Sequence, residues 1–272
     1  MKGLFISFIF FIANSTTGFA DITICSWNLK DFGRSKDDAA IRFIASTIKQ
    51  YDIIAIQEVV AMDPGGAQAV ARLTDQLNRM GAKWDYVISD PTTGANSHKR
   101  ERYAFIWKTG TVQRIGDPWL EQKFQAEIDR EPFFITVRAE SRALTIGNFH
   151  AITKSMRPET EIKYFKYFPE QYPDKNIIFC GDFNLPQSHT VFVPLKKLNY
   201  KPILKGQKTS LKQECIADDC LASEFDNMFY NSSKIKFISS EVIHFYREFT
   251  DLKKARKISD HAPIVFRFTF SN

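Results

Sequence analysis

Short apolar runs alternate along this chain with stretches whose apolar residues recur every three or four positions. Ile22-Thr23-Ile24-Cys25-Ser26-Trp27 reads as a strand ending at Asn28. Asp37-Asp38 then opens a helix carrying Ile41, Ile44 and Ile48 on one face. The run Asp52-Ile53-Ile54-Ala55-Ile56 is a buried strand that stops at Gln57-Glu58. Ala67 to Met80 has helical spacing and is stopped by Gly81. Trp84 to Ser89 and Tyr103 to Trp107 are strands on either side of a turn-rich loop containing Pro91 and Gly94. Phe133 to Arg138 and Ala143 to Phe149 are paired as a hairpin. Pro158 to Tyr167 is expected to be helical, and Asn176 to Cys180, Glu224 to Tyr230 and Ala262 to Phe270 to be strands. Strands outnumber helices, and an α/β arrangement of two packed sheets with helices outside buries both kinds.

The first twenty residues do not fit that pattern. Lys2, the apolar run Leu4 to Ile12, and Gly18-Phe19-Ala20 have the charge, length and small residues of a cleaved signal peptide. A membrane span needs roughly 20 apolar residues, so this run is too short. The expectation is a signal peptide over 1–20 and one catalytic domain over 21–272, secreted or periplasmic and without stable membrane association; the sequence is silent on oligomeric state, with a monomer favoured. A formal net charge of +6 suits a polyanionic partner without defining any chemistry. Cys25 and Cys180 sit inside apolar strands as small core residues, whereas Cys215 and Cys220 bracket a polar loop that a short disulfide can close in an oxidising compartment. No cysteine or histidine pair has zinc-ligand spacing.

Polar residues with chemical potential gather where strands end: Asn28, Glu58, Glu101, His150, Asp182, Asn184, Asp226, Asp260 and His261. Turn chemistry explains many of them singly, such as Asp182 and Asn184 after Gly181. Asp226 resists that account, because a charge inside an apolar strand needs a partner. If the strands are packed neighbours, these groups converge on one rim. Carboxylates and an amide then suit Mg²⁺ or Mn²⁺ better than zinc. Two other stretches mix charge with aromatic or basic side chains. Tyr164, Phe165, Tyr167 and Phe168, interleaved with Lys163 and Lys166, are expected to pack an aromatic face inward. Lys253-Lys254-Ala255-Arg256-Lys257 is either a solvated loop or a phosphate-steering segment.

The ordered series Ser26-Trp27-Asn28-Leu29, Ile56-Gln57-Glu58-Val59, Arg100-Glu101-Arg102-Tyr103, Arg130-Glu131-Pro132-Phe133, Asn148-Phe149-His150, Gly181-Asp182-Phe183-Asn184, Phe225-Asp226 and Ser259-Asp260-His261-Ala262-Pro263 resembles the endonuclease/exonuclease/phosphatase superfamily, and within it the deoxyribonuclease I type. The resemblance implies a four-layered α/β sandwich and a metal-dependent phosphodiesterase cutting nucleic acid, most simply DNA. By that resemblance Glu58, Asn28 and Asp260 hold or flank a divalent ion, Mg²⁺ or Mn²⁺, and room is left for a structural Ca²⁺. Asp182 and Asn184 contact the phosphate, and His150 and His261 are the acid/base pair, with Glu101 and Asp226 as their respective partners. Arg138 matches an arginine of the phosphate-binding face. Arg102 belongs, with Lys99 and Arg100, to a loop suited to phosphates flanking a groove. Two positions depart from the deoxyribonuclease I type: Val60 stands where an arginine enters the minor groove, and His98 where a tyrosine stacks on a sugar. A weaker preference for duplex follows, with single strands or RNA also accepted. The alternatives on the same core are an exported phospholipid or sphingomyelin phosphodiesterase and a non-catalytic toxin or adhesin subunit.

Overall fold

A computed structural model of the chain describes residues 21–94 and 100–271. The signal peptide expected over 1–20, and the loop positions Asn96, Ser97, His98 and Lys99, lie outside the described residues.

Two mixed sheets carry the fold. The first has the order β14 (Ile235–Val242), β15 (Ile264–Phe270), β1 (Ile22–Phe32), β2 (Ile53–Val60), β4 (Glu101–Lys108), β3 (Trp84–Ile88). The second runs β10 (Tyr200–Pro202), β13 (Asp226–Asn231), β9 (Ile177–Asp182), β8 (Arg142–His150), β7 (Phe133–Ala139), β5 (Val112–Arg114), with β6 (Trp119–Leu120) also on β7. A small ribbon of β11 (Leu211–Ile216) and β12 (Asp219–Leu221) stands apart and holds the Cys215–Cys220 disulfide. Each large sheet has one parallel pair at its centre, β1 with β2 and β8 with β9. The other pairings within the two sheets are antiparallel.

Strand alternation sorts the apolar side chains into three layers of core. Ile24, Ile53, Phe105, Ile135, Ile146, Cys180, Met228 and Phe266 fill the space between the sheets. The opposite face of the first sheet packs Cys25, Ile54 and Ile106 against α1 (Asp38–Ile48), α2 (Gly65–Asn78) and α6 (Leu252–Ile258). The outer face of the second sheet packs Phe134, Phe149 and Phe179 against α3 (Glu159–Ile162), α4 (Phe168–Gln171) and α5 (Val193–Lys197). Helix, sheet, sheet, helix is the four-layered sandwich expected.

The local differences have physical causes. The helix expected over Pro158 to Tyr167 is broken into α3 and a 3₁₀ turn, Phe165–Tyr167, before α4. A 3₁₀ turn has three residues per turn, which sends Phe165 and Phe168 to the same side, and both are fully buried. Tyr164 is half-buried against this core and Tyr167 is exposed, under the ammonium groups of Lys163 and Lys166 respectively. The basic segment Lys253 to Lys257 lies within α6, capped by the Asp251 carboxylate and burying Leu252, Ala255 and Ile258 at a spacing of three. Strand β14 escapes the apolar pattern because it is an edge strand with mostly exposed side chains.

Candidate active site

The two parallel pairs explain why the polar residues meet. Parallel neighbours end at the same edge, and register places Asn28 beside Gln57, and His150 beside Asp182. Asp226 pairs with Asp182 from the antiparallel side, Glu101 with Val60, and an isolated bridge sets His261 against Ser210. All these positions lie at one rim of the sandwich, around a cleft of about 430 Å³.

Gly181 makes the approach of β8 and β9 there attainable. Its φ is +134°, and a β-carbon at this position would lie 1.9 Å from the Phe149 carbonyl oxygen. Two functional side chains themselves sit on left-handed backbone, Glu58 at φ 60° and Asn184 at φ 51°. Such conformations cost energy and persist where the surroundings fix them. Asn28 fixes the first: its amide donates to Glu58 Oε1 at 2.9 Å and Asp182 Oδ2 at 3.2 Å, and the Asp31 amide donates to Glu58 Oε2 at 3.0 Å.

Both histidines are held by carboxylates at Nδ1. His150 meets Glu101 Oε1 and Oε2 at 3.0 Å each, and His261 meets Asp226 Oδ2 at 2.7 Å. The Nε2 atoms then point at one oxygen: each lies 3.5 Å from Asp182 Oδ2. Arg130 stands behind the first dyad, 3.3 Å from Glu101, and also donates to the Ala151 carbonyl. Thr209 stands behind the second, donating to Asp226 Oδ2 at 2.6 Å. Asp182 receives the Asn184 amide at 2.9 Å, and Asn184 Nδ2 donates to the Ala151 carbonyl at 3.0 Å.

These contacts set the charges. Burial alone would lower the pKa of both imidazoles. For His150 the pull of Glu101 and Asp182 outweighs burial and nearby Arg130, and the pKa stands above its ordinary value. For His261 burial is overcome by Asp226 and Asp182, and the pKa is pushed up to about 10. Burial raises the Glu101 and Asp182 carboxyls, yet the histidines, together with Arg130 at Glu101, hold both below the usual range. Burial pushes the Asp226 carboxyl up against the pull of His261. The site is therefore two histidine–carboxylate dyads flanking Asp182, with the His261 imidazole the more firmly protonated of the two.

The structure brings Glu58, Glu101, His150, Asp182, Asn184, Asp260 and His261 onto one cleft wall or floor. Asp226 and Asn28 are buried just behind it. Asp260 reaches the cleft with its carboxylate between Lys30 at 3.4 Å and Arg256 at 3.2 Å. Two residues are not brought there. Arg138 pairs with Ala143, seven residues along β8 from His150, roughly 23 Å away at strand spacing. It is exposed at the far end of the sandwich. Arg102 alternates with Glu101 and so leaves by the other face of β4, where it donates to the Ser89 carbonyl at 2.7 Å. Among the described residues, the arginines that line the cleft are Arg100, from the loop expected to flank phosphates, and Arg130. Glu161, buried on α3, was not anticipated: its carboxylate accepts from the Asp129 amide at 2.7 Å and the Ile152 amide at 2.9 Å. It thereby ties the loop carrying Arg130 to the one that follows His150.

Hard oxygen donors suit a divalent ion of the Mg²⁺ kind. Asp182, Asp226 and His261 bring ligand atoms within 4.8 Å of one another, the one such acidic or histidine cluster among the described residues. His261 Nδ1 and Asp226 are already bonded to each other, so that cluster is filled by a proton. Asp31, Glu58, Asp129 and Asp260 also line the cleft with at least partly exposed carboxylates, and Glu58 and Asp260 fit such an ion better than the buried cluster does.

The Endonuclease/Exonuclease/phosphatase family pattern matches residues 25–261. A deoxyribonuclease of Thioalkalivibrio sp. (strain K90mix) is 30% identical over 92% of this chain and 71% of its own length. Human deoxyribonuclease gamma is 28% identical over 91% of this chain and 86% of its own. A solved structure of an endonuclease/exonuclease/phosphatase family protein from Bacteroides thetaiotaomicron superposes with a TM-score of 0.68, at 14% identity, covering 93% of this chain and 99% of that one. That last likeness concerns the fold.

Proposed function

Because this chain belongs to the endonuclease/exonuclease/phosphatase family, we propose that it is an exported, divalent-metal-dependent endonuclease that hydrolyses phosphodiester bonds of DNA with little sequence preference. The observation that carries this reading is the pair of dyads whose Nε2 atoms approach the same Asp182 oxygen at 3.5 Å from two sides. In-line displacement at phosphorus needs a proton removed from the attacking water and another delivered to the leaving oxygen. His261, with the higher pull from its carboxylates, arrives protonated and is the donor; His150 takes the water proton, with Glu101 stabilising the imidazolium that forms. Asp182 lies between them and orients the water. Asn184 and Arg130 meet the phosphoryl oxygens. Glu58 and Asp260 would hold Mg²⁺ or Mn²⁺, with Asn28 fixing the Glu58 carboxylate from behind. When bound, the ion neutralises phosphate charge and stabilises the transition state.

Deoxyribonuclease names among the relatives support DNA as substrate. Export is supported by the leader-like residues 1–20 and by the Cys215–Cys220 disulfide, which suits an oxidising compartment. The deciding experiment is plasmid nicking by residues 21–272 in Mg²⁺ or Mn²⁺ and in EDTA. Metal-dependent nicking that is lost in Asp260→Ala and His150→Ala is expected. Nicking that persists in EDTA, or in His150→Ala, refutes the mechanism.

A further inference from the structure

Among the described residues, large apolar side chains with substantial exposure are few, and two of them line the cleft: Met62 is 61% exposed and Met156 51%. They come from opposite sheets. Met62 follows β2, and Met156 closes the 3₁₀ turn Lys154–Met156 after β8. The half-buried Val60 and Ala61 continue the apolar surface beside Met62, and Ile152 does so on the side of Met156. The polar floor of histidines and carboxylates therefore lies beneath two apolar lips.

Both lips are mounted on fixed backbone. Asp63 accepts the Gly65 amide at 2.5 Å, and α2 docks so closely that a β-carbon on Gly66 would lie 2.1 Å from the Val60 carbonyl oxygen. On the other side the Met156 amide donates to the Thr153 carbonyl at 2.8 Å, and Arg157 leaves the turn in a left-handed conformation at φ 66°.

We infer that Met62 and Met156 form an apolar clamp that grips an unpaired nucleobase next to the scissile phosphate, making an unstacked strand the preferred substrate. The inference rests on the nuclease reading above and names its substrate class. A thioether side chain is long, unbranched and polarisable, and lies against the face of any base without selecting among them. Base faces are available only when the base is out of the stack. In a duplex they are covered, and apolar wedges reach them only by unstacking a step at a cost of a few kcal/mol. A single strand spends far less to present the same face.

The test uses residues 21–272 as wild type and as Met62→Ala/Met156→Ala. Both side chains are exposed, so the double variant retains its core. Binding of a fluorescein-labelled single strand is measured by anisotropy in EDTA, beside a strand of equal length that is abasic throughout. Cleavage of single strand and duplex of one sequence is measured in Mg²⁺ and Mn²⁺. Removing the bases is expected to weaken binding to the wild type about 10-fold and to the double variant less than about 2-fold. The double variant should also lose about 10-fold of single-strand cleavage and under about 3-fold of duplex cleavage. Equal binding of abasic and base-bearing strands by the wild type, or an abasic penalty undiminished in the double variant, overturns the clamp. A base-dependent binding penalty relieved by the substitutions, in a protein that cleaves nothing, leaves the clamp standing and removes the nuclease reading.

Discussion

Replacing Asp226 by Asn should change how stability depends on pH, and the size follows from the His261 dyad. In the folded protein the His261 pKa is pushed up to about 10, against an ordinary value near 6.5, with Asp226 Oδ2 at 2.7 Å and Asp182 Oδ2 at 3.5 Å. Between those two values the native state keeps a proton that the unfolded chain has released. Stability therefore falls as pH rises through this window. The contribution is present in full below about pH 6.5 and is lost as pH passes about 10; it amounts to roughly 5 kcal/mol. In Asp226→Asn the larger of the two attractions is gone, and burial opposes what Asp182 still supplies. The expected slope across the window corresponds to less than about 2 kcal/mol. Urea unfolding followed by tryptophan fluorescence, in EDTA and at half-unit pH steps, measures both curves. The variant should be the less stable protein at acid pH, and the curves should draw together as pH rises. Parallel curves for the two proteins would show that Asp226 does not hold the proton on His261.

Gly181→Ala should cost about 3 kcal/mol or more, since its β-carbon meets the Phe149 carbonyl and its φ of +134° disfavours any side chain. Because the clash forces β9 from β8 beside the His150–Asp182 pair, cleavage should fall at least about 10-fold under conditions where the variant remains folded; a loss under about 1 kcal/mol in urea unfolding contradicts the packing described. The assignment of the two histidines is separable with a substrate whose leaving oxygen is sulfur. On ordinary DNA, His261→Ala and His150→Ala should each lose about 100-fold or more. Sulfur leaves without protonation, so the His261→Ala deficit should largely vanish on that substrate while the His150→Ala deficit stays; rescue of His150→Ala instead would exchange the two roles.

Most of the candidate site was readable because its residues close apolar strands, and strand ends are visible as breaks in hydrophobic runs. Asn28, Glu58, His150 and Asp182 follow such runs, and the two central parallel pairs then put all four on one rim, while Asp226 opens β13 and reaches that rim through its antiparallel pairing with Asp182. Arg138 rests on the resemblance alone, and strand direction is what keeps it from the cleft. It lies on β7, a strand antiparallel to β8, and a residue late in β7 is far from one late in β8. Arg102 shows the second gap, that of face. One position separates it from Glu101, yet alternation sends the two side chains to opposite sides of the sheet. Arg130 and Glu161 show a third. Neither ends a strand; each reaches its carbonyl or amide partners across loops whose juxtaposition exists only once the sheets have packed. The secondary structure failed in a parallel way. Strand β14 and helix α6 bury too few side chains for a run to announce them, whereas every central strand buries nearly all of its own. Chemistry borne by the rigid centre of this fold is thus written locally. The residues that tune it, and the methionines that shape its mouth, are placed by long-range packing and become legible only in three dimensions.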